Sequence, residues 1–355
     1  MNPPRGTKAA SSATARAERM QQWEQWLGKY TEEPLLPELR LVDAHHHLWD
    51  RGGHTYLPAQ FRQDAQGHKV EASVYVECLS AYREYGPEHL RCVGETEYLL
   101  GVLLQTSTDT APDIAAGIVG HADLALAEAV ETVLDAHVEA AGTRFKGIRY
   151  ATAWDADPAI HGAYPTHAGM LTEPAVQAGA RRLGARGMTL DLWCYFPQLD
   201  DVVALAHACP EVAIVLDHFG GPIGIGSYAG QRDEVFQRWR HGMQALGMYP
   251  NVHVKLGGLA MAVAGFAWRE RAVPPSSIDL AQAWQPYFDV CLEAFGAGRC
   301  MFESNFPVDR TGCSYAVLWN AFKRLAQPLS ETDRDALCAG TARRVYLQKL
   351  ARSAG

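Results

Sequence analysis

Leu41-Val42-Asp43-Ala44-His45-His46-His47 is the stretch from which the fold is read: an apolar, strand-forming run passes directly into polar side chains. On a strand the side chains alternate, so the imidazoles of His45 and His47 share one face and His46 points to the other. The same transition recurs along the chain. The β-rich runs are Arg40–Ala44, Ala72–Glu77, Ala115–Val119, Phe145–Arg149, Met188–Trp193, Val212–Asp217, Val252–Leu256 and Arg299–Glu303. Amphipathic stretches lie between them: Ala125–Ala140, Glu173–Ala185, Leu199–Ala208, Arg232–Leu246 and Ile278–Phe295. Strand and helix periods therefore alternate as βαβ units require. Eight such units close into a barrel more readily than they spread into an open sheet, and no G-x-G-x-x-G follows the first strand to favour a dinucleotide fold. The expected fold is α/β, a (β/α)8 TIM barrel with an N-terminal helical extension. Residues 1–16 read as a tail, and residues 17–30 place Met20, Trp23, Trp26 and Leu27 at helical spacing. The expected division is an N-terminal tail and helix over 1–38 and a barrel over 39–355.

Composition narrows the function classes. Apolar residues make up 48% and charged residues 20%, the balance of an ordinary globular protein. A formal charge of −8 without any long Lys/Arg run gives no footprint for nucleic acid. No apolar run approaches the ~20 residues that span a bilayer, and the N-terminus lacks the apolar segment of a secretory signal. A cytoplasmic protein acting on a small molecule is expected, with no membrane partner. Trp23 and Trp26 hint at a homo-oligomer. The eight cysteines contain no C-x-x-C pair, which argues against a zinc ribbon or a disulfide scaffold. Cys194, beside Trp193 and Tyr195, reads as a packing residue before a catalytic thiol.

In a (β/α)8 barrel the functional groups come from the last residues of different strands. Here those ends carry Asp43-Ala44-His45-His46-His47, Glu77, Lys146-Gly147-Ile148-Arg149, Asp191-Leu192-Trp193-Cys194-Tyr195, Asp217-His218, Lys255 and Glu303-Ser304-Asn305. His45, His47 and His218 can converge on one ion or substrate, whereas a chance pair of surface histidines would not follow an apolar run. Asp217 reads as structural. Arg149 and Lys255 bring positive charge that can hold a carboxylate or polarise a carbonyl, pointing to an anionic or oxygen-rich substrate. For both, a buried ion pair with Glu77 or Glu303 is the alternative reading, equal in weight for Lys255.

These residues, in this order, resemble the amidohydrolase superfamily, and within it the branch of sugar lactonases and pyrone-dicarboxylate lactonase. The likeness spans nearly everything after residue 40. Its carriers are Asp43–His47, Lys146–Arg149, Leu216-Asp217-His218-Phe219-Gly220-Gly221-Pro222 and Arg299-Cys300-Met301-Phe302-Glu303-Ser304-Asn305-Phe306-Pro307. The resemblance implies a strand-one His pair, a strand-six His and a strand-eight Asp around a site that binds zinc in some members and works without metal in others. Those positions are His45, His47, His218 and Asn305. The last departs from the usual Asp, and an amide is neither a general base nor an anionic ligand. Glu77 or Glu303 can take over. Glu77 is the favoured ligand or base, with Glu303 locked to Arg149 or Lys255.

The implied reaction is hydrolysis of a lactone or related cyclic ester, by water attack on a polarised carbonyl. The catalytic candidates are His45, His47, Glu77, Arg149, His218, Glu303 and Asn305. Trp49, Tyr82, Arg149, Trp193, Tyr195 and Lys255 are the substrate-binding candidates. One divalent metal, zinc, is expected on His45, His47 and His218 as neutral ligands. Without metal the same histidines would donate to the oxyanion. Two rival readings are a nonoxidative decarboxylase or hydratase, whose relatives usually carry a strand-one Glu and keep the strand-eight Asp, and a ligand-binding barrel that has lost hydrolysis. The segments Leu48–Lys69, with His54, Tyr56, Phe61 and Arg62, and Leu79–Thr110, with Tyr82, Arg83 and Tyr85, are expected as excursions at the mouth. They serve either substrate contact or packing.

Overall fold

The computed structural model describes residues 18–52, 54–106, 112–160, 162 and 164–348. The N-terminal tail and Thr110 fall outside these residues. Eight parallel strands form one sheet in chain order: β1 (Arg40–His46), β2 (Lys69–Val76), β3 (Asp113–Gly120), β4 (Phe145–Ala151), β5 (Thr189–Trp193), β6 (Ala213–Leu216), β7 (Val252–Leu256) and β8 (Cys300–Phe302). The segment after β8 closes the sheet onto β1. His47 N–H donates to Phe306 O at 2.7 Å and Asn305 N–H to His45 O at 2.8 Å. The expected (β/α)8 barrel is therefore observed, with each apolar run of the sequence forming its strand.

These strands need apolar faces on both sides. Val42, Ala44, Val74, Val76, Val119, Val215 and Met301 fill the barrel interior, where Tyr346 and Ala342 of the C-terminal segment join them. Outside, helices such as Pro174–Ala185, Leu199–Ala208, Arg232–Gly247 and Ser277–Phe295 bury their apolar stripes against the sheet. Phe302 lies between Phe288 and Phe322, with ring centroids 6.1 and 4.6 Å away. The expected Ala125–Ala140 helix is divided. A 3-10 segment Leu124–Ala129 precedes the helix Val130–Ala141, because Ala127 sits at φ 50° and interrupts the α-helical ladder.

The segment Leu79–Thr110 is not chiefly an excursion at the mouth. It contains the helix Val93–Thr106, which serves as the barrel helix after β2. Within Leu48–Lys69, Tyr56 and Phe61 are fully buried, and Pro58–Asp64 is a short helix. Residues 18–27 are helical. Trp23 lies 4.2 Å from the Arg269 guanidinium and Trp26 Nε1 donates to Arg271 O at 2.9 Å, so both half-buried rings are engaged by their own chain. Among the described residues no helix is long and apolar enough to cross a membrane.

Candidate active site

Side chains at the strand ends form two tiers drawn from alternate strands, as barrel geometry dictates. Odd strands supply His45 (β1), Asp191 (β5) and Lys255 (β7). Lys255 Nζ lies 2.6 Å from Asp191 Oδ2, 3.1 Å from Asp217 Oδ1 and 3.2 Å from His45 Nδ1. Tyr346 donates to the same Asp191 oxygen at 2.6 Å. Burial alone would lower the Lys255 pKa, but Asp191 and Asp217 outweigh it and the net shift is upward. Lys255 is thus a fully buried charge beneath the histidines, and the expectation that it binds substrate at the mouth is corrected. The alternative, a buried ion pair, holds in kind, but with Asp191 and Asp217 in place of Glu77 or Glu303.

Even strands supply Glu77, Arg149, His218 and Glu303. Arg149 Nε lies 2.8 Å from Glu77 Oε1, and Arg149 Nη2 donates to the Glu77 backbone oxygen at 2.5 Å. Tyr164 closes this cluster, accepting from Arg149 Nη2 and donating to Glu77 Oε1 at 2.9 Å. Glu77 is therefore committed to Arg149, and the expectation of Glu303 locked to Arg149 or Lys255 is reversed. The other oxygen of Glu77, Oε2, accepts from the Leu79 backbone N–H at 3.2 Å, so both carboxylate oxygens are occupied. The Nη1 group of Arg149 keeps two N–H donors that make no hydrogen bond among the described residues, and Arg149 lines the pocket.

Glu303 instead serves the histidines. Its Oε1 accepts from His218 Nδ1 at 2.7 Å and from the His218 backbone N–H at 3.1 Å, and its Oε2 lies 3.0 Å from His45 Nδ1. Burial would raise the Glu303 pKa, but His218 and His45 draw it down to about 2. In His218, burial pulls the pKa down and Glu303 overcomes it, leaving it above the ordinary value.

The ring hydrogens follow from these partners. Val76 O, 2.8 Å from His47 Nδ1, can only accept, so Nδ1 carries the hydrogen and Nε2 a lone pair. Burial, followed by the Arg149 charge, holds His47 well below the usual range and hence neutral. For His45, also held neutral by burial and then by Lys255, Nδ1 faces the Glu303 carboxylate at 3.0 Å. Glu303 Oε2 is buried and has no aligned hydrogen-bond donor of its own. Lys255 Nζ reaches the same Nδ1 at 3.2 Å, so neutral His45 carries its hydrogen either on Nδ1, towards Glu303, or on Nε2, towards His47.

Three potential ligand atoms face one another. His45 Nε2 and His47 Nε2 are 3.2 Å apart, and Asn305 Oδ1 is 3.3 Å from His47 Nε2. Two ligands at about 2.0–2.1 Å from a tetrahedral ion lie roughly 3.3 Å apart. His45, His218 and Glu303 also offer ligand atoms that all fall within 4.8 Å of one another. The donor set fits a divalent cation.

Above the histidines opens a pocket of about 300 Å³, lined by His47, His218, Asn305, Arg149, Trp49, Trp193 and Tyr195, as expected, and also by Tyr164, Arg51 and Met261. Trp49 stacks on His47 with centroids 6.0 Å apart, and Trp193 meets His218 edge-on at 4.8 Å. Tyr82 does not line the pocket. Its ring stacks on His121 at 6.4 Å, which corrects its assignment to substrate. Cys194 is fully buried, and burial pushes its thiol pKa up, so it packs and does not react. Among the strand-end groups of the sequence, Asp191 had no role of its own, and Tyr164, Arg51 and Asp309 escaped sequence reasoning. Asp191 carried a usable signal, since it sits two residues before Trp193 on β5 and shares its face. Tyr164 lies in a loop with no periodic cue, and Asp309 follows Asn305 by one irregular turn. Asp309 accepts from Asn305 Nδ2 at 3.3 Å, and burial pushes its carboxyl up to about 7.

Comparison with known proteins places this site in a lineage. A family model described as amidohydrolase matches residues 42–347. An uncharacterized protein y4mH of Sinorhizobium fredii is 29% identical, with 88% of this chain and 99% of the relative covered. An L-fucono-1,5-lactonase of Burkholderia multivorans is 28% identical, covering 86% of this chain and 95% of the relative. Among solved structures, an amidohydrolase of Burkholderia multivorans with bound zinc is 27% identical and superposes with a TM-score of 0.67, over 86% of this chain and 98% of its own. The matched span runs from the His45–His47 strand through Glu303 and Asn305 to the last turns that plug the barrel, and on it this chain belongs to the amidohydrolase family.

Proposed function

We propose that the protein hydrolyses a lactone or related cyclic ester of an oxygen-rich or carboxylate-bearing small molecule. We further propose that His45, His47 and His218 hold one divalent metal, zinc. The observation that carries this reading is the buried, closely spaced set His45 Nε2, His47 Nε2 and Asn305 Oδ1, at separations that suit ligands of one ion. The lactonase named among the relatives supports the ester class. When bound, a zinc on neutral imidazoles lowers the pKa of its water towards about 7 and polarises a carbonyl.

The chain's own groups do the rest. Glu303 accepts from His218 Nδ1 and lies 3.0 Å from His45 Nδ1, so with a metal on Nε2 both rings would turn their Nδ1 hydrogens to this one carboxylate and be strengthened as ligands. Arg149, immobilised by Glu77 and Tyr164, directs its remaining N–H donors at a substrate carbonyl or carboxylate. Trp49 and Trp193 give the ring of the substrate flat apolar walls and exclude water from the reacting carbonyl. Neither glutamate is free to remove a proton: Glu77 is held by Arg149 and Tyr164, and Glu303 by His218.

The test is proton release from a panel of five- and six-membered sugar lactones. Turnover that is lost in His47→Ala and on chelation, and restored by added zinc, is expected. A zinc-loaded protein that releases no proton from any lactone would overturn the reading.

A further inference from the structure

We propose that Asp309 is a positioning residue that turns the Asn305 amide so that its oxygen faces the histidine pair, giving the metal a neutral oxygen ligand where a carboxylate is usual; this rests on the metal reading above. The backbone of Asn305 is fixed, at φ 53° with its N–H on His45 O at 2.8 Å. The side-chain amide is nearly symmetric in shape, so only its partners decide which end points where. Both neighbours compete for the NH2 group. His47 Nε2, a lone pair 3.3 Å away, would accept from it, and so does Asp309 Oδ1, also 3.3 Å away on the other side.

Asp309 wins this competition on charge. A hydrogen bond to a carboxylate is roughly twice as strong as one between neutral groups, and the reversed amide would set its oxygen against the carboxylate. Asp309 is itself fully buried and held by its backbone, whose N–H donates to Asn305 O at 3.1 Å. Its second oxygen, Oδ2, meets no hydrogen-bond donor among the described residues, so Asn305 is the side-chain partner that this buried carboxylate has. The amide oxygen is thereby presented to His47 Nε2 and, through it, to the 3.2 Å gap between the two histidines.

The test is calorimetric titration of metal-stripped protein with Zn²⁺ alone at pH 8, with thermal unfolding as a check on folding. Asp309→Leu frees the amide to turn and is expected to weaken zinc by about 10- to 100-fold, the usual range for loss of an outer partner of a metal site. Asp309→Asn keeps an acceptor oxygen without the charge and is expected to fall between the parent and Asp309→Leu. The decisive arm is Asn305→Asp, in which both side-chain oxygens are acceptors and orientation no longer matters. Adding Asp309→Leu to it should leave zinc affinity unchanged or tighter. Should leucine not be accommodated, Asp309→Ala removes the same acceptor without bulk. Equal losses in the parent and the Asn305→Asp backgrounds, or no loss in either, would overturn the positioning role alone. A parent protein that takes up no zinc would overturn the metal reading as well.

Discussion

Replacing Glu303 with Gln changes one oxygen to an NH2 group and should uncouple the site without emptying it. The amide oxygen can still accept from His218 Nδ1, now 2.7 Å from Oε1, but the new NH2 group faces His45 Nδ1 across 3.0 Å. His45 Nδ1 must then accept, so its hydrogen is held on Nε2 and the ring offers the metal a hydrogen in place of a lone pair. The interaction lost is substantial. The carboxyl pKa falls from 4.5 to about 2 in the fold. At 1.36 kcal/mol per pK unit, the histidines favour the charged form by on the order of 3 kcal/mol, shared between two rings. Because the folded pKa is depressed, that stabilisation is present above pH 4.5 and lost as the pH falls towards 2. Zinc affinity should drop by about 10- to 100-fold. Calorimetry at pH 7.5 reads the affinity, and ¹⁵N spectra of the histidines read the tautomer. A folded Glu303→Gln protein with parental zinc affinity and His45 still protonated at Nδ1 would refute the reasoning.

Arg149→Lys keeps the charge but cannot bridge Glu77, its backbone oxygen and Tyr164 together, so kcat/KM for lactones should fall by about 10²-fold or more, and a parental value would deny Arg149 its role. His137, buried and bonded to His121 O and Thr96 Oγ1, is pulled down to about 4, so the unfolded chain takes up its proton first and stability falls as the pH is lowered. Between pH 7.5 and 5 the parent should lose about 2 kcal/mol more than His137→Gln in urea unfolding, and parallel losses would contradict this. Phe302→Ala, which opens a hole between Phe288 and Phe322, should cost about 3–5 kcal/mol by the same assay.

What the sequence disclosed, and what it withheld, follows from period. Parallel strands covered on both faces are continuous apolar runs, and seven of the eight end in polar groups that mark the barrel mouth. The helix Val93–Thr106 gave no such mark, since Glu95 and Thr96 sit on its buried face and break the apolar stripe. The helix Tyr315–Ala326 is buried nearly all round, Asn320 and Lys323 included, and so has no polar face to set a period. In the site, strand alternation placed His45 and His47 together and sent His46 to Ser73 Oγ, 2.8 Å away on the other face. Alternation tells the face of a residue but not its neighbour. That Arg149 takes Glu77, leaving Glu303 for the histidines, is set by how alternate strands share a tier across the closed barrel, which no single run of sequence records.

X-ray absorption of the zinc-loaded protein goes straight to the ligand shell. Three imidazole nitrogens with further oxygen donors, all at about 2.0–2.1 Å, reduced by one imidazole in His47→Ala, are what the arrangement of His45, His47 and His218 predicts. A shell with sulfur, or with a single imidazole that survives the loss of His47, would contradict it.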